Sequence, residues 1–102
     1  MLAVGAVRIG SAAWDALMGR RADPRIIEGI SAIARDWPGV HGFHDLKTRT
    51  AGSRVFVNLH IELDGDLPLR DAHDIGAALR RAILQAYPQA DVIIHKDVAR
   101  GP

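Results

Sequence analysis

From Arg54 to Leu63 every second residue is aliphatic: Val55, Val57, Leu59, Ile61 and Leu63 alternate with Phe56, Asn58, His60 and Glu62. A period of two is the signature of a half-buried strand, and it assigns each side chain to a face. The aliphatic set must face a second layer. His60 then lies on the outer face with Asn58 and Glu62. Asp64-Gly65-Asp66 ends the strand, and Ala51-Gly52-Ser53 before it is a turn signal. Val40–Thr50 reads as a second strand, so the two should form an antiparallel hairpin.

Helical stripes flank this hairpin. Asp23 is a good N-cap and Pro24 suits the first helical turn. Ile26, Ile27, Ile30, Ile33 and Ala34 follow at helical spacing. That helix should stop near Trp37, because Pro38 restricts the residue before it and Gly39 follows. A second stripe, Leu69, Ala72, Ile75, Ala78, Leu79, Ala82 and Ile83, spans Pro68 to Gln85. Tyr87-Pro88 ends it, and Ala90–His95 reads as a last strand. The order of helix, strand, strand, helix, strand suits an α+β sandwich of the ferredoxin-like kind, with a three-stranded sheet covered on one face by two helices.

Residues 2–18 read as a further helix, moderately apolar, broken by Arg8 and Asp15 and with Gly19 as a natural stop. It reads either as an amphipathic helix or as the cut end of a membrane helix. It is shorter than the roughly 18–20 clean apolar residues a span needs. The expected organisation is 1–19 as this helix, 20–23 as linker, 24–97 as one domain and 98–102 as a flexible tail.

A chain of 102 residues builds one core, and a hydrophobic content of 48% can fill it. Net charge is only +1, aromatics are 5%, and the basic residues are scattered. This argues against a nucleic-acid surface. There is no cysteine, so any metal must be held by nitrogen and oxygen donors. Five histidines are available: His41, His44, His60, His73 and His95.

The last strand ends His95-Lys96-Asp97. Alternation puts His95 and Asp97 on the outer face and Lys96 on the other. A hairpin turn with an odd number of residues, centred on Gly52, would set His44 directly opposite His60, with Cβ atoms about 4.5–5.5 Å apart. An even-numbered turn would put them on opposite faces. With the odd turn, one sheet face carries His44, His60, His95 and Asp97, a plausible set of first-row metal ligands. The competing reading is a scatter of surface histidines. His41 reads as incidental, and alternation cannot place His73, in the first turns of the second helix.

Four blocks carry a resemblance. They are Asp36-Trp37-Pro38-Gly39-Val40 with Gly42-Phe43-His44-Asp45-Leu46-Lys47-Thr48-Arg49; Val57-Asn58-Leu59-His60-Ile61-Glu62; Leu67-Pro68-Leu69 with Ala72-His73; and Asp91-Val92-Ile93-Ile94-His95-Lys96-Asp97. Together, in this order, they resemble the cytoplasmic C-terminal domain of cation diffusion facilitator transporters, bacterial zinc or iron(II) exporters of the ferrous-iron-efflux type in particular. The resemblance implies a metallochaperone-like αββαβ fold and a V-shaped homodimer. It implies a binuclear site at the dimer interface built from His44, His60, His73, His95 and Asp97, with Asp97 bridging two ions. It makes residues 1–19 the end of the last transmembrane helix, on the cytoplasmic side of the inner membrane. One departure stands out: Gly19 replaces an acidic residue that many relatives use in a contact between subunits.

The function so implied is regulatory. Divalent metal, zinc above all, with iron(II), cobalt and cadmium as further candidates, sets the arrangement of two subunits of a proton-coupled efflux antiporter. Transport itself belongs to the membrane domain. Three rivals stand beside it. A metal-dependent hydrolase is disfavoured because no general base stands out. A soluble metallochaperone shares the ligand set. A dimerisation module whose histidines sense protons is the third. Asp45 has the wrong parity to be a ligand, but a role in holding a ligand imidazole is open to it.

Overall fold

The computed structural model describes residues 21–99. The elements are α1 (Pro24–Arg35), β1 (Gly42–Ala51), β2 (Arg54–Leu63), α2 (Leu69–Ala86) and β3 (Ala90–Val98). The expectations for residues 1–19, Gly19 included, lie outside the described residues. Among the described residues no helix is long and apolar enough to cross a membrane.

β2 is the central strand, antiparallel to β1 and parallel to β3. A parallel pair needs a crossover connection, and α2 supplies it. The aliphatic face of β2 is the floor of the core. Leu59 and Ile61 are fully buried there, with Ile30 of α1 and Leu79 and Ile83 of α2 above them. Each such side chain contributes about 1.5–3 kcal/mol by leaving water. The sheet therefore has one face under helices and one face bare. This is the ferredoxin-like α+β sandwich that the element order implies.

Local chemistry fixes the helix ends. The Asp23 side chain accepts a hydrogen bond from the Arg25 backbone N–H at 2.8 Å, and Pro24 occupies the first turn. α1 ends at Arg35, two residues before the expected stop. α2 ends where the Tyr87 N–H bonds the Ile83 carbonyl at 2.8 Å. The Tyr87 ring lies against Gly29, where any side chain would collide with it. That glycine lets α1 and the end of α2 approach.

Two ends differ from expectation. Ala22, read as linker, is buried, and its N–H donates to Thr48 Oγ1 at 3.0 Å. Thr48 is itself fully enclosed, so this bond anchors the approach to α1 onto β1. β3 also runs past His95 to Val98, the residue expected to open the tail. The Ala99 N–H still bonds the Leu63 carbonyl at 2.6 Å.

The hairpin turn is not the expected one. Ala51 pairs with Arg54, leaving the two-residue turn Gly52-Ser53. Gly52 has φ 61° while Ser53 is not among the residues at positive φ, the pattern of a type II′ turn. An even turn alone would carry His44 to the helix face. Instead the register shifts between His44 and Lys47: Lys47 still pairs with Asn58, yet His44 pairs with His60. Asp45 and Leu46 together oppose Leu59, a β-bulge. Asp45 takes φ 52°, a left-handed conformation that Asp tolerates better than most residues. Leu46 packs toward the core and His44 returns to the bare face. The expected His44–His60 pairing is thus present for a different reason.

The bulge predicts a specific sensitivity. Asp45→Val should cost about 1–2 kcal/mol in urea unfolding, since a β-branched residue resists the left-handed region. Asp45→Gly should stay within about 0.5 kcal/mol of the parent. Equal midpoints for the two variants would show that the register does not rest on this backbone conformation.

Candidate metal centre

Three strands bring three imidazoles into one stack on the bare face. His44 pairs with His60 across the antiparallel ladder, and His60 pairs with His95 across the parallel one. The His44 and His60 ring centroids are 5.2 Å apart and those of His60 and His95 4.4 Å, with interplanar angles of 23° and 13°. Two residues further along β2 and β3, Glu62 lies beside Asp97. Like charges side by side on one sheet face repel each other. A cation between them removes that cost.

The contacts converge on Asp97. His60 Nδ1 is 2.9 Å from Asp97 Oδ2 and His44 Nε2 is 3.2 Å from the same oxygen. The other nitrogen of His44, Nδ1, is 3.0 Å from Glu62 Oε2. A neutral imidazole has one N–H and one lone pair. It can donate to one of these carboxylates only, which leaves the lone pair of its other nitrogen facing a carboxylate oxygen, a place where a metal ion fits between the two. A tetrahedral zinc with bonds near 2.0–2.1 Å separates its ligand atoms by about 3.3 Å. The observed 2.9 and 3.2 Å lie close to that edge. His44, His60 and Asp97 offer ligand atoms that all lie within 4.8 Å of one another. The site is accessible: the side chains of His44, His60 and Asp97 are 42%, 32% and 39% exposed. It opens into a cleft of about 470 Å³ lined by His44, Glu62, Asp97 and Val98.

The remaining expected ligands sit differently. His95 shares the face and the stack, but its Nε2–H donates to Asn58 Oδ1 at 2.8 Å. His73 is exposed on α2 and lines a groove with Gly76, Arg80, Arg81, Ile94 and Lys96 on the helix side of the sheet. Within one chain His73 does not join the cluster. His41 precedes β1, is exposed and lies outside the cluster.

Two residues at the site carry more weight than sequence reasoning gave them. Glu62 and Asn58 were placed on the correct face but assigned no part. The available signal was their position two residues either side of His60 on one strand face. Asp45, considered for holding a ligand imidazole, is exposed and makes no side-chain hydrogen bond with one; Glu62 does that for His44.

Known proteins share the fold and much of the sequence. The sequence profile of the family described as cation efflux protein, cytoplasmic domain, matches residues 22–98. The cation-efflux pump FieF of Salmonella typhimurium is 41% identical over 92 residues, covering 90% of this chain and 31% of the pump. The FieF of Klebsiella pneumoniae is 40% identical over the same length. The chain thus spans about a third of the length of the curated relatives it matches. Among solved structures, CzrB in a zinc form superposes with a TM-score of 0.71 at 34% identity, covering 79% of this chain and 96% of that one. The metal-bound C-terminal domain of the CzcD transporter from Thermotoga maritima gives 0.69 at 29% identity, covering 74% and 88%. On the profile match and the identity to these pumps, the chain belongs to the cation efflux protein family and corresponds to its cytoplasmic domain.

Proposed function

We propose that this chain is the regulatory cytoplasmic domain of a divalent-metal efflux transporter, and that metal bound at the bare sheet face governs how two copies sit together. The observation that carries this reading is the convergence of His44 Nε2, His60 Nδ1 and Asp97 Oδ2 around one point. The relatives solved in zinc and metal-bound forms support the same reading. Zinc is the leading metal, with iron(II), cobalt and cadmium acceptable to an imidazole and carboxylate set.

On this reading His44, His60 and Asp97 hold a first ion. His95 has its Nε2 committed to Asn58 and presents Nδ1. Together with the second oxygen of Asp97 it forms half of a second position. His73, on the helix side of the sheet, reaches that position only from a second copy. Metal therefore favours the arrangement in which two chains complete the ligand set. A ligand shifts a conformational equilibrium by its differential affinity for the states, and an ion shared between two chains has such a difference built in.

The surface beside the site suits a second copy. Leu69 is 82% exposed and Val98 70% exposed, in a shallow apolar depression that also includes Leu67 and Asp97. Apolar side chains left in water next to ligand positions are what a dimer contact would cover.

The metal assignment is tested by isothermal titration of zinc into the chain. Asp97→Asn and His44→Ala should each weaken binding by more than about 100-fold, beyond the upper range for loss of an outer partner. His73→Ala should leave the tighter event largely intact and abolish the zinc-dependent gain in dimer affinity. Wild-type stoichiometry and affinity in Asp97→Asn would refute the site.

The contact surface makes a separate prediction. Leu69→Asp combined with Val98→Asp should move the sedimentation equilibrium toward monomer, with the far-UV circular dichroism unchanged. An unaltered dimer would place the interface elsewhere.

A further inference from the structure

Two polar residues next to the imidazole stack take no part in the three-residue cluster, yet each holds one nitrogen of a histidine that does the binding. Glu62 Oε2 accepts from His44 Nδ1 at 3.0 Å, and Asn58 Oδ1 accepts from His95 Nε2 at 2.8 Å. A neutral imidazole held on one nitrogen by an acceptor outside the ligand set carries its proton there and keeps its lone pair on the other nitrogen. The contacts of Asp97 with His44 Nε2 and His60 Nδ1 differ, because Asp97 is a candidate ligand and an ion would take the proton's place between the two atoms.

We propose that Glu62 and Asn58 are positioning residues that select the metal-binding nitrogen of their histidines: Nε2 for His44 and Nδ1 for His95. This inference rests on the metal reading above.

The geometry separates Glu62 from the ligands. Asp97 Oδ2 collects two ring nitrogens, from His44 and His60, whereas Glu62 Oε2 collects one. The one it collects is the nitrogen of His44 that faces away from Asp97. If Nδ1 of His44 took the ion instead, the metal would lie on the Glu62 side, away from His60. Holding the proton on Nδ1 therefore keeps Nε2, His60 and Asp97 aimed at one point. A carboxylate behind a ligand imidazole also makes the ring a stronger donor.

Asn58 does the corresponding work at the other end of the stack. Its backbone pairs with Lys47 on one side and Ile93 on the other, one ladder step before the shift that delivers His44. Its amide oxygen ties His95 Nε2 back along the sheet, away from Asp97. That leaves Nδ1 of His95 with no partner among the described residues. The two histidines at the ends of the stack are thus held by opposite nitrogens. The stack cannot present three equivalent donors, and the two ends of the site differ in which side of the ring binds.

The test uses the 15N-labelled chain loaded with cadmium-113, whose coupling to a ring nitrogen reports which atom coordinates. In the parent, coupling is expected at Nε2 of His44 and Nδ1 of His95. Glu62→Ala should weaken cadmium binding by about 10–100-fold and shift or split the His44 coupling between its two nitrogens. Glu62→Gln, whose amide oxygen still accepts from Nδ1, should restore the Nε2 coupling and lose less than about tenfold in affinity. Asn58→Ala should scramble the His95 coupling and leave that of His44 unchanged. Parent-like couplings and affinity in Glu62→Ala would overturn the positioning role while leaving the metal site intact. A loss in Glu62→Gln as large as that in Asp97→Asn would overturn it too, by making Glu62 a ligand. Absence of any ring coupling in the parent chain would sink both this inference and the metal reading.

Discussion

The outer face depends on one extra residue in β1. A two-residue turn and an uninterrupted ladder would put His44 opposite Ile61 and under the helices, leaving His60 with one histidine neighbour in place of two. The bulge at Asp45-Leu46 reverses this. It lets β1 satisfy two demands at once: near the turn, Thr48 and Leu46 point into the core, and beyond the bulge, His44 points out. A strand with a strict period of two cannot meet both demands with these residues. The cost is a left-handed Asp45, about 1–2 kcal/mol for an ordinary residue and less for Asp. A bulge next to a functional site that re-aims a side chain is a recurring device in sheets.

The forces that hold the fold and those that shape the site are separate. Stability comes from the helix side, where Leu59, Ile61, Leu79, Ile83 and Ile30 exclude water. The histidine–carboxylate contacts lie on a face where the side chains keep 30–42% of their exposure. Partly exposed polar contacts contribute little to stability, about 1 kcal/mol or less each. Emptying or filling the site therefore leaves the core untouched. On the proposed reading the energy of metal binding would enter on the face that the core does not use, so a response to metal would not require unfolding.

The β2 alternation was enough to assign faces to Leu59, His60 and Glu62. The parallel β3 then followed its own alternation, with His95 and Asp97 out and Lys96 in against Gly76. Periodicity is legible because it is repeated over many residues. The turn and the bulge are single-residue events, and their effects cancel, so alternation alone could reach the His44–His60 pairing only by way of the wrong turn. Ala22 was misread for a similar reason: a short linker segment carries no period, and only the enclosed Thr48 hydroxyl shows why it is anchored. Glu62 was placed but undervalued. Its importance comes from its bond to His44 Nδ1, and that depends on the bulge that sets His44 beside His60, which the strand patterns alone do not state.

The position of His73 shows what the proposed site asks of the assembly. Four of the five expected ligands come from the bare face of one sheet, while His73 stands on the helix layer behind it. A side chain cannot cross its own core, so a complete set must combine the bare face of one copy with the helix side of another. Linkage then makes metal affinity and dimer affinity two measures of one coupling: whatever factor metal adds to association, association adds to metal binding. The three proposed ligands His44, His60 and Asp97 come from one chain and would need no partner to load an ion. On the proposed reading the partner-dependent position alone would carry the coupling, which would be strongest where His95 and Asp97 meet a neighbouring helix. On the same reading, an ion at His44 and His60 would neutralise Asp97 beside Glu62 and so remove the repulsion that opposes a second approaching surface.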